Sequence, residues 1–308
     1  MRVAQVHDEQ WLETELGDPQ GCIEKLKDRK SYGLRADIFT FSQKPSSTVP
    51  KYPLPMEKES IAAVHLISFK GWWEKLPQET RKNVRRSQKR GVTIEVKKFG
   101  EDVVKGISDV NNDSPMRQRE RNIYYGRSLE QVRKDYSAFI DRSDFICAYA
   151  GSEMIGFLKL VYRGEVASIL NFTPKGSESD KRPANALIAK AVELCEAKGI
   201  SYLTYGKYNY GNKGDSPLRE FKIRNGFEEI LVPRFYVPLT NWGKACLSLK
   251  LHRGLLGLLP ESWIGFAIRS REKWYDLKQS KRRCSSMSER PNSDRQMGRS
   301  NPPAGSNL

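Results

Sequence analysis

Residues 144–173, DFICAYAGSEMIGFLKLVYRGEVASILNFT, constrain the fold more than any other stretch of the chain. They contain three runs of strand length, separated at Gly151-Ser152 and at Arg163-Gly164. Glycine-containing pairs between such runs are typical of tight turns, and tight turns join antiparallel strands. The stretch therefore predicts three antiparallel strands in succession.

A helix and two more strands are expected to follow. The run PANALIAKAVELCEAKG, residues 183–199, starts with proline, ends with glycine and has apolar residues on one face, which favours a helix. The run ISYLTYG, residues 200–206, favours a strand. A short helix then ends on Asn225-Gly226-Phe227 before the strand-like run EEILVPRFYVPL. Antiparallel strands followed by a strand–helix–strand unit predict a mixed α/β fold.

The preceding part of the chain contains the same two kinds of element. Strands are predicted at residues 60–67 and 92–99, with a helix at 76–91 between them. Residues 101–141 predict helices with a polar break at NNDSPMRQRER. The proline-rich residues 43–55 predict a loop.

The chain is strongly basic. Its 308 residues include 53 Lys and Arg against 37 Asp and Glu, which gives a net charge of +16. Such a charge favours an anionic partner: a nucleic acid, the phosphates of a coenzyme or an acidic membrane. A soluble protein with a basic tail would have the same charge, and composition does not decide between these two interpretations.

Cysteine usage favours a reducing compartment. The five cysteines are far apart and form no C-x-x-C pair, so neither a zinc site nor a disulfide framework is indicated. The run MRVAQVHDEQW lacks the apolar centre of a signal peptide, and no stretch approaches the ~20 apolar residues of a spanning helix. We therefore expect a cytoplasmic protein that holds no metal.

Three segments resemble a known family. The order of elements from residue 101, with LREFKIRNGFEE at 218–229, resembles the GNAT superfamily of N-acyltransferases, whose members end a short helix on Gly-Phe and enter a final strand. The segment WWEKLPQETRKNVRRSQKRGVTIEV, residues 72–96, resembles the Fem-type transferases, which have a GNAT-like fold and include peptidoglycan aminoacyl transferases. Residues 205–239 resemble Fem-related proteins found with polysaccharide biosynthesis genes. By resemblance, the chain is identified as a Fem-like GNAT acyltransferase.

The chain is predicted to have four segments. The resemblance implies that residues 1–100 form a partial GNAT-like β-α-β unit and that 101–240 form the catalytic GNAT-like domain. Leucines at helical spacing, flanked by Lys and Arg, predict basic amphipathic C-terminal helices at 241–277. The C-terminal helices can either lie on the inner face of an acidic membrane, as a peripheral contact, or dock on the protein core. Residues 278–308 contain almost no apolar side chains and are expected to be disordered.

The donor site follows from the resemblance. In GNAT proteins the pyrophosphate of acyl-coenzyme A lies at a helix N-terminus, where backbone N–H groups point outward. The matching run here is KRPANA. The family has glycine where this chain has alanine, and the proline removes one N–H donor. A helix that binds nothing is therefore the alternative. The implied donor contacts are Lys181, Arg182, Ala184, Asn185 and Ala186.

Proton transfer in this family needs a group near the leaving thiolate. Many GNAT members have a tyrosine four residues before the glycine of Gly-Phe, whereas this chain has Lys222, which can donate a proton, pair with a phosphate or be solvated. Tyr205, Lys207 and Tyr208 lie near the expected cleft, where either catalysis or packing would explain them. Asn171 is a candidate substrate contact.

The predicted helix 76–91 has the densest positive charge. Arg81 and Arg85 are four residues apart and therefore share a face. We expect them to bind a phosphate-bearing substrate, such as a lipid-linked sugar, a nucleotide sugar or tRNA. A solvated face without a partner is the alternative.

These inferences give one main function and two alternatives. We expect an acyltransferase that moves an acyl group from acyl-coenzyme A to an amine of a cell-envelope sugar or precursor, with a phosphate-bearing or amino-sugar acceptor. One alternative is a tRNA-dependent aminoacyl transferase of the Fem type. The other is a non-catalytic GNAT-fold module that binds an anionic polymer.

Overall fold

The computed structural model describes residues 1–6, 15–28, 35–117, 120–209 and 216–253. The strands in these ranges are β1 (Val3–Gln5), β2 (Ile38–Ser42), β3 (Met56–His65), β4 (Val92–Lys97), β5 (Met116–Arg117), β6 (Glu120–Arg121), β7 (Ser143–Ala150), β8 (Glu153–Arg163), β9 (Val166–Pro174), β10 (Tyr202–Lys207) and β11 (Glu228–Pro238). The α-helices are α1 (Pro19–Lys27), α2 (Phe69–Lys75), α3 (Gln78–Lys89), α4 (Glu101–Asn111), α5 (Leu129–Tyr136), α6 (Pro183–Ala197), α7 (Pro217–Arg224) and α8 (Asn241–Ser248).

Nine of these strands form one mixed sheet in the order β1-β2-β11-β3-β10-β9-β8-β7-β4. β7, β8 and β9 are antiparallel neighbours, and the turns between them contain Gly151 and Gly164 at φ angles of 61° and 58°. β9 and β10 pair in parallel and are connected through α6. The predicted mixed α/β fold, with antiparallel strands followed by a strand–helix–strand unit, is confirmed.

Helices cover both faces of the sheet. Successive residues of β8 point to opposite faces, as in any strand. Leu158 packs in a core cluster with Leu187 of α6. Phe157 packs on the other face with Ile107 of α4 and Tyr136 of α5. The two faces of the sheet are called the α6 face and the α4/α5 face, after the helices that cover them.

Strands from the first hundred residues belong to the same sheet as the later ones. β3 lies between β10 and β11, β4 forms an edge beside β7, and β2 pairs with β11. A further core cluster at the β2 end contains Ile23 of α1, Phe41 of β2 and Phe235 of β11. The division of the chain at residue 100 stays a prediction.

Element boundaries differ from the predictions on both sides of Pro77. The predicted helix 76–91 is wrong at its start, because Pro77 is the N-cap of α3 and a separate helix, α2, precedes it. Ser68 caps α2, since its Oγ accepts a hydrogen bond from Gly71 N at 3.0 Å. The predicted strand 60–67 starts too late, because pairing of β3 with β11 extends to Met56 despite its polar residues.

The C-terminal segment is described only in part. α8 occupies the beginning of the segment 241–277. Residues 254–277 and the tail expected to be disordered, 278–308, lie outside the described residues, so both expectations stay predictions. Among the helices that the structure describes, none is long and apolar enough to cross a membrane.

Candidate active site

The sheet opens between β9 and β10. Their parallel pairing joins only Tyr202–Thr204 to Val166–Ser168, although β9 continues to Pro174 and β10 to Lys207. Where this pairing ends, each strand has one extra residue against its other neighbour: Leu170 in β9, and one before Lys207 in β10. Bulges of this kind cluster near binding sites, and ligands of α/β sheets bind beyond the carboxyl ends of parallel strands. The gap between these two strand ends is therefore the candidate active site.

α6 begins beside this gap. No side-chain hydrogen bond in the described part of the chain caps its first turn. The N-cap residue is Arg182, whose φ of 57° lies in the left-handed region, and Pro183 is the first helical residue. A left-handed non-glycine residue is uncommon and is often found at functional sites. The backbone N–H groups from Ala184 onward are the unsatisfied donors of a helix N-terminus, which suit an anion.

The loop that leads into α6 is held from two sides. The carboxylate of Asp113, just after α4, accepts hydrogen bonds from Gly176 N at 2.7 Å and Ser177 N at 3.3 Å. Arg90, just after α3, donates to the backbone carbonyl of Asp180 at 2.5 Å and to its carboxylate at 2.8 Å. These contacts fix the position of the α6 N-terminus relative to helices on both faces.

The predicted donor contacts have different surroundings. Lys181 is half-buried and pairs with Glu178, and this hydrogen bond raises the pKa of the lysine. Arg182 is exposed, and its guanidinium has no partner among the described residues. Ala184 is half-buried and Ala186 is buried, so the latter offers little surface to a ligand. Arg182 is thus the cation of this run that is available to an anion, while contact with a donor stays a prediction for all of them.

Asn185 connects α6 to α7. Its Nδ2 donates to Oδ1 of Asn225 at 3.0 Å, and Nδ2 of Asn225 donates to the carbonyl of Phe221 at 2.7 Å. The backbone carbonyl of Asn225 accepts a hydrogen bond from Nε1 of Trp72 in α2 at 3.1 Å. The side chain of Asn185 is therefore engaged inside the protein, and the Asn225 junction, as we call Asn185, Asn225, Phe221 and Trp72, fixes three helices together.

Lys222 lies in the interior, at the end of β10. It is 0% exposed, and its Nζ donates to the backbone carbonyl of Lys207 at 2.6 Å. The same Nζ lies 4.6 Å from the centroid of the Tyr205 ring. Burial lowers the pKa of Lys222 from 10.5 to about 8. The interpretation of Lys222 as a solvated side chain is wrong, because α7 points it at the gap and not at water.

Aromatic rings form the wall of the gap on the α6 face. The ring of Phe172 in β9 stacks on Phe221 of α7 at 5.6 Å and meets Tyr205 of β10 edge-on at 5.8 Å. Tyr205 also contacts the buried Phe227 at 5.9 Å. The sequence left open whether Tyr205 packs or takes part in catalysis. In the structure its ring packs against the core and also lies next to the Lys222 ammonium.

The side chains of Lys207 and Tyr208 are both engaged in contacts within the protein. The ammonium of Lys207 lies 3.2 Å from the Glu59 carboxylate, which also accepts a hydrogen bond from Arg234 at 2.5 Å. Burial acts to raise the pKa of Glu59, but the charges and hydrogen bonds of Arg234 and Lys207 outweigh it and hold that pKa below its ordinary value. Tyr208 is buried, and the Arg219 guanidinium lies 5.2 Å from its ring centroid.

Asn171 lies on the other face of the sheet from Tyr205. The extra residue Leu170 reverses the alternation of β9, so Asn171 pairs with Lys159 and shares the α4/α5 face with it. Lys159 is a second fully buried lysine, whose Nζ donates to the carbonyl of Tyr136 at 2.7 Å. Burial lowers the pKa of Lys159 to about 8. The structure thus brings Tyr205, Lys207 and Lys222 together but sets Asn171 apart.

The basic helix α3 lies against the start of α6. Thr80, in its first turn, donates to the carbonyl of Arg224 at 2.9 Å, and Arg90 holds Asp180 in front of α6. Arg81 is half-buried, while Arg85 is exposed with its guanidinium 5.7 Å from the Trp73 ring. The end of the basic helix α3 therefore lies beside the loop that leads into α6.

Sequence analysis missed Trp72 and Lys159 and gave Asn225 only a turn role. For Lys159 a signal exists, since a lone lysine in the apolar run FLKLV must be buried if both faces of the strand are covered. For Asn225 and Trp72 no local signal exists, because the residues that bind them are far apart in the sequence.

Comparisons with known proteins concern the arrangement of elements. No protein-family description and no curated protein matches the sequence. Among solved structures, FemX is 11% identical over 71% of this chain and 69% of its own, with a TM-score of 0.47. The C-terminal domain of a putative lysylphosphatidylglycerol synthetase from Agrobacterium fabrum is 15% identical over 77% and 78%, with a TM-score of 0.49. The chain is similar to these proteins.

A third solved structure is an N-acetyltransferase from Thermoplasma acidophilum in complex with coenzyme A. It is 21% identical, and the alignment covers 47% of this chain and 99% of that one, with a TM-score of 0.35. All three TM-scores lie below 0.5. The fold is therefore defined by the strand order and register of the sheet itself.

Proposed function

We propose that this protein is a cytoplasmic N-acyltransferase that uses a coenzyme A thioester and acylates an amine of a cell-envelope sugar or precursor. One observation carries the proposal: the gap between β9 and β10 lies beside both the uncapped N-terminus of α6 and the buried ammonium of Lys222. A thioester donor is polyanionic at one end and electrophilic at the other. It needs a site that provides for both ends at a fixed separation.

The pyrophosphate of the donor is proposed to bind at the start of α6. The free N–H groups of the first turn and the helix dipole favour an anion there, and the guanidinium of Arg182 adds a charge-assisted hydrogen bond. Pro183 removes one donor, and the methyl group of Ala184 narrows the approach to the backbone. The residues present fit a diphosphate, with a weaker cradle than glycine would give.

The reaction is a substitution at the carbonyl carbon. The acceptor nitrogen attacks the thioester, the C–N bond forms, the C–S bond breaks, and the products are an amide and the free thiol of coenzyme A. The leaving thiolate gains one proton and the acceptor nitrogen loses one. Lys222, whose pKa of about 8 lies near the ~8.5 of a thiol, is proposed to donate the first of these protons.

A second candidate donor is aminoacyl-tRNA, which presents an ester instead of a thioester. The observation that favours it is the contact of Arg90 with Asp180, because it places the end of the basic helix α3 beside the loop that leads into α6. A polyanion could then extend along α3 from the same reactive centre. The chemistry of the substitution would be the same, with a ribose hydroxyl as leaving group.

Calorimetry with coenzyme A tests the proposal. Binding should be measurable at sub-millimolar coenzyme A, and Arg182→Ala should weaken it at least tenfold, since a charge-assisted bond contributes ~1.5–3 kcal/mol. Lys181→Ala should have a smaller effect, because Lys181 already pairs with Glu178. Lys190→Ala, two turns further along α6, is the matched control and should leave binding unchanged.

The opposite results select among the other functions. If coenzyme A does not bind at millimolar concentration but tRNA does, and transfer from aminoacyl-tRNA is detected, the second donor replaces the first. If the chain binds polyanions but transfers no acyl group from either donor, the non-catalytic module is correct.

A further inference from the structure

A pocket of about 420 Å³ opens on the α6 face, beside the wall of the candidate active site. It lies between α2 and α7, over the end of β3 and the beginning of β11. Val64, Trp72 and Phe227 line it, and all three are buried members of the core cluster that includes α6. Its volume lies in the range of ~300–1,000 Å³ that small-molecule sites have.

Two consecutive carboxylates stand at this pocket. Glu229 accepts hydrogen bonds from Ser60 Oγ at 2.6 Å and Asn209 Nδ2 at 3.1 Å, which hold it in place. Glu228 is exposed, and no ion pair or hydrogen bond of its side chain occurs among the described residues. Lys75 and His65 also line the pocket. The two glutamates and the one lysine of the lining sum to a charge of −1, in a chain whose net charge is +16.

The mouth of the pocket is apolar. Ile67 is 86% exposed and Ile223 is 43% exposed, and both line the pocket. Exposed aliphatic side chains at a concave site favour a ligand that covers them. The combination of an apolar mouth, an aromatic wall, the fixed carboxylate of Glu229 and the exposed carboxylate of Glu228 suits a molecule that has an apolar body and one cationic group.

The pocket and the candidate active site share a stretch of chain around Tyr208. Tyr208 lines the pocket, and it follows Lys207, whose carbonyl holds the ammonium of Lys222. Ile223 and Lys222 are likewise neighbours on α7, with one facing the pocket and the other the interior. Two pocket residues, Tyr208 and Ile223, are therefore direct sequence neighbours of the two residues joined by the Lys222 hydrogen bond.

We infer that this pocket binds a primary amine on an apolar body, with the ammonium at Glu228 and Glu229. In the proposed function this ligand is the acceptor, which narrows the acceptor to amine-bearing precursors with an apolar portion. The role as acceptor rests on the proposed function. The binding itself does not, because it involves neither the α6 N-terminus nor an acyl donor.

Calorimetry on the full chain without any donor tests the inference. The probe is 4-phenylbutylamine, compared with 4-phenylbutanol and 4-phenylbutyrate, which share its apolar body. The amine should bind at least about tenfold more tightly than the alcohol, and the acid should bind more weakly than either. Glu228→Gln should remove most of the preference for the amine over the alcohol, while Glu130→Gln, on the distant helix α5, should leave it unchanged.

A second variant tests the apolar part. Ile223→Trp should fill the mouth of the pocket and weaken both the amine and the alcohol, with circular dichroism confirming that the variant is folded. Equal affinity for amine, alcohol and acid, or amine binding that neither variant reduces, would overturn the inference. If the amine binds as expected but coenzyme A does not, the pocket stands and the proposed donor fails. If coenzyme A binds and acyl transfer occurs while the two pocket variants leave the acceptor KM unchanged, the pocket is not the acceptor site.

Discussion

Asn225 Oδ1 accepts a hydrogen bond from Asn185 Nδ2 at 3.0 Å, across 40 residues of sequence. Asn225 is the last residue before the glycine that ends α7, and it is 1% exposed. Asn185 is in the first turn of α6. This single bond therefore sets the distance between the proposed anion site and the helix that holds Lys222, which gives the Asn-Gly-Phe sequence a role beyond ending a helix.

Replacement of Asn225 should be costly. Asn225→Ala leaves Asn185 and the Phe221 carbonyl without their buried partner, so we expect the free energy of unfolding to fall by about 2–4 kcal/mol. Asn185→Ala should cost about 1 kcal/mol, since its side chain is only half-buried. Urea denaturation of both variants and of the double variant measures the coupling, which should be at least about 0.5 kcal/mol. Strictly additive losses would mean that the bond contributes nothing.

Gly226 should tolerate a side chain less well than Gly91. Both have positive φ, 81° and 74°, so alanine at either site adopts a left-handed backbone at a cost of ~1–2 kcal/mol. At Gly226 a Cβ would also lie 2.7 Å from Nε1 of Trp72, while at Gly91 nothing lies within 4 Å. We expect Gly226→Ala to destabilise the protein by roughly 3 kcal/mol or more, and Gly91→Ala by the backbone term alone.

Thermal or urea unfolding of these two variants gives the comparison directly. Equal losses of stability would show that Trp72 moves aside without penalty. The Asn225 junction would then be more plastic than its hydrogen bonds indicate.

The sequence predicts the mixed sheet well because its signals there are local. Gly151 and Gly164 lie in the turns directly between the strands that they separate. Pro183 begins α6, and Gly199 follows its last turn. The boundary at Pro77 was less predictable, since proline suits both the first turn and the position before it. A local pattern cannot distinguish these two cases.

The candidate site is less predictable because its contacts join distant segments. The bulge at Leu170 depends on pairing with β8 and turns Asn171 to the α4/α5 face, although alternation alone puts it on the α6 face. Whether Lys222 is solvated or buried depends on which face of α7 docks on the sheet. The sequence pattern of this short helix does not determine which face that is.

Lys222 and Lys159 offer a matched test of the proposed proton donor. Both are fully buried lysines whose pKa burial lowers to about 8, but only Lys222 adjoins the gap between β9 and β10. Lys222→Met should lower kcat about 100-fold or more and leave coenzyme A binding within a factor of about three. Lys159→Met should lower stability, because two carbonyls at the end of α5 lose their donor, without a comparable loss of kcat.

Steady-state kinetics over pH completes this test. The proposed donor acts in its protonated form, so the Lys222-dependent part of kcat should fall as pH rises through about 8. A profile that is the same in the wild type and in Lys222→Met would exclude Lys222 as the donor.

The two buried lysines should also make stability depend on pH. Their pKa is about 8 in the folded protein and 10.5 when unperturbed, so the unfolded chain binds more protons between these values. Stability then rises with pH from about 8 upward. Below about 8 both states are protonated, so the cost of burying these two ammonium groups stays constant with pH. Each Lys→Met variant should lose its share of this rise.

The window for the measurement is limited by the buried thiols. Burial raises the pKa of Cys147 and Cys195 from 9.0 to about 12, so above pH 9 the unfolded chain loses protons that the folded protein keeps. Their contribution opposes that of the lysines. Urea denaturation at about pH 7.5, 8.5 and 9 therefore gives the cleanest difference between wild type and variants, and parallel curves would contradict the lowered lysine pKa values.

The last prediction separates a specific polyanion surface on α3 from net charge alone. Arg81→Gln with Arg85→Gln removes two charges from α3, while Lys105→Gln with Lys134→Gln removes two exposed charges from α4 and α5 on the other face. If α3 contacts phosphates, the first pair should weaken tRNA binding and reduce the slope of log K against log salt by up to about 2, since each phosphate contact contributes ~0.7–0.9. The second pair should change both far less. Equal effects of the two pairs would mean that only the overall charge of +16 attracts the polyanion, and the tRNA donor would lose its structural support.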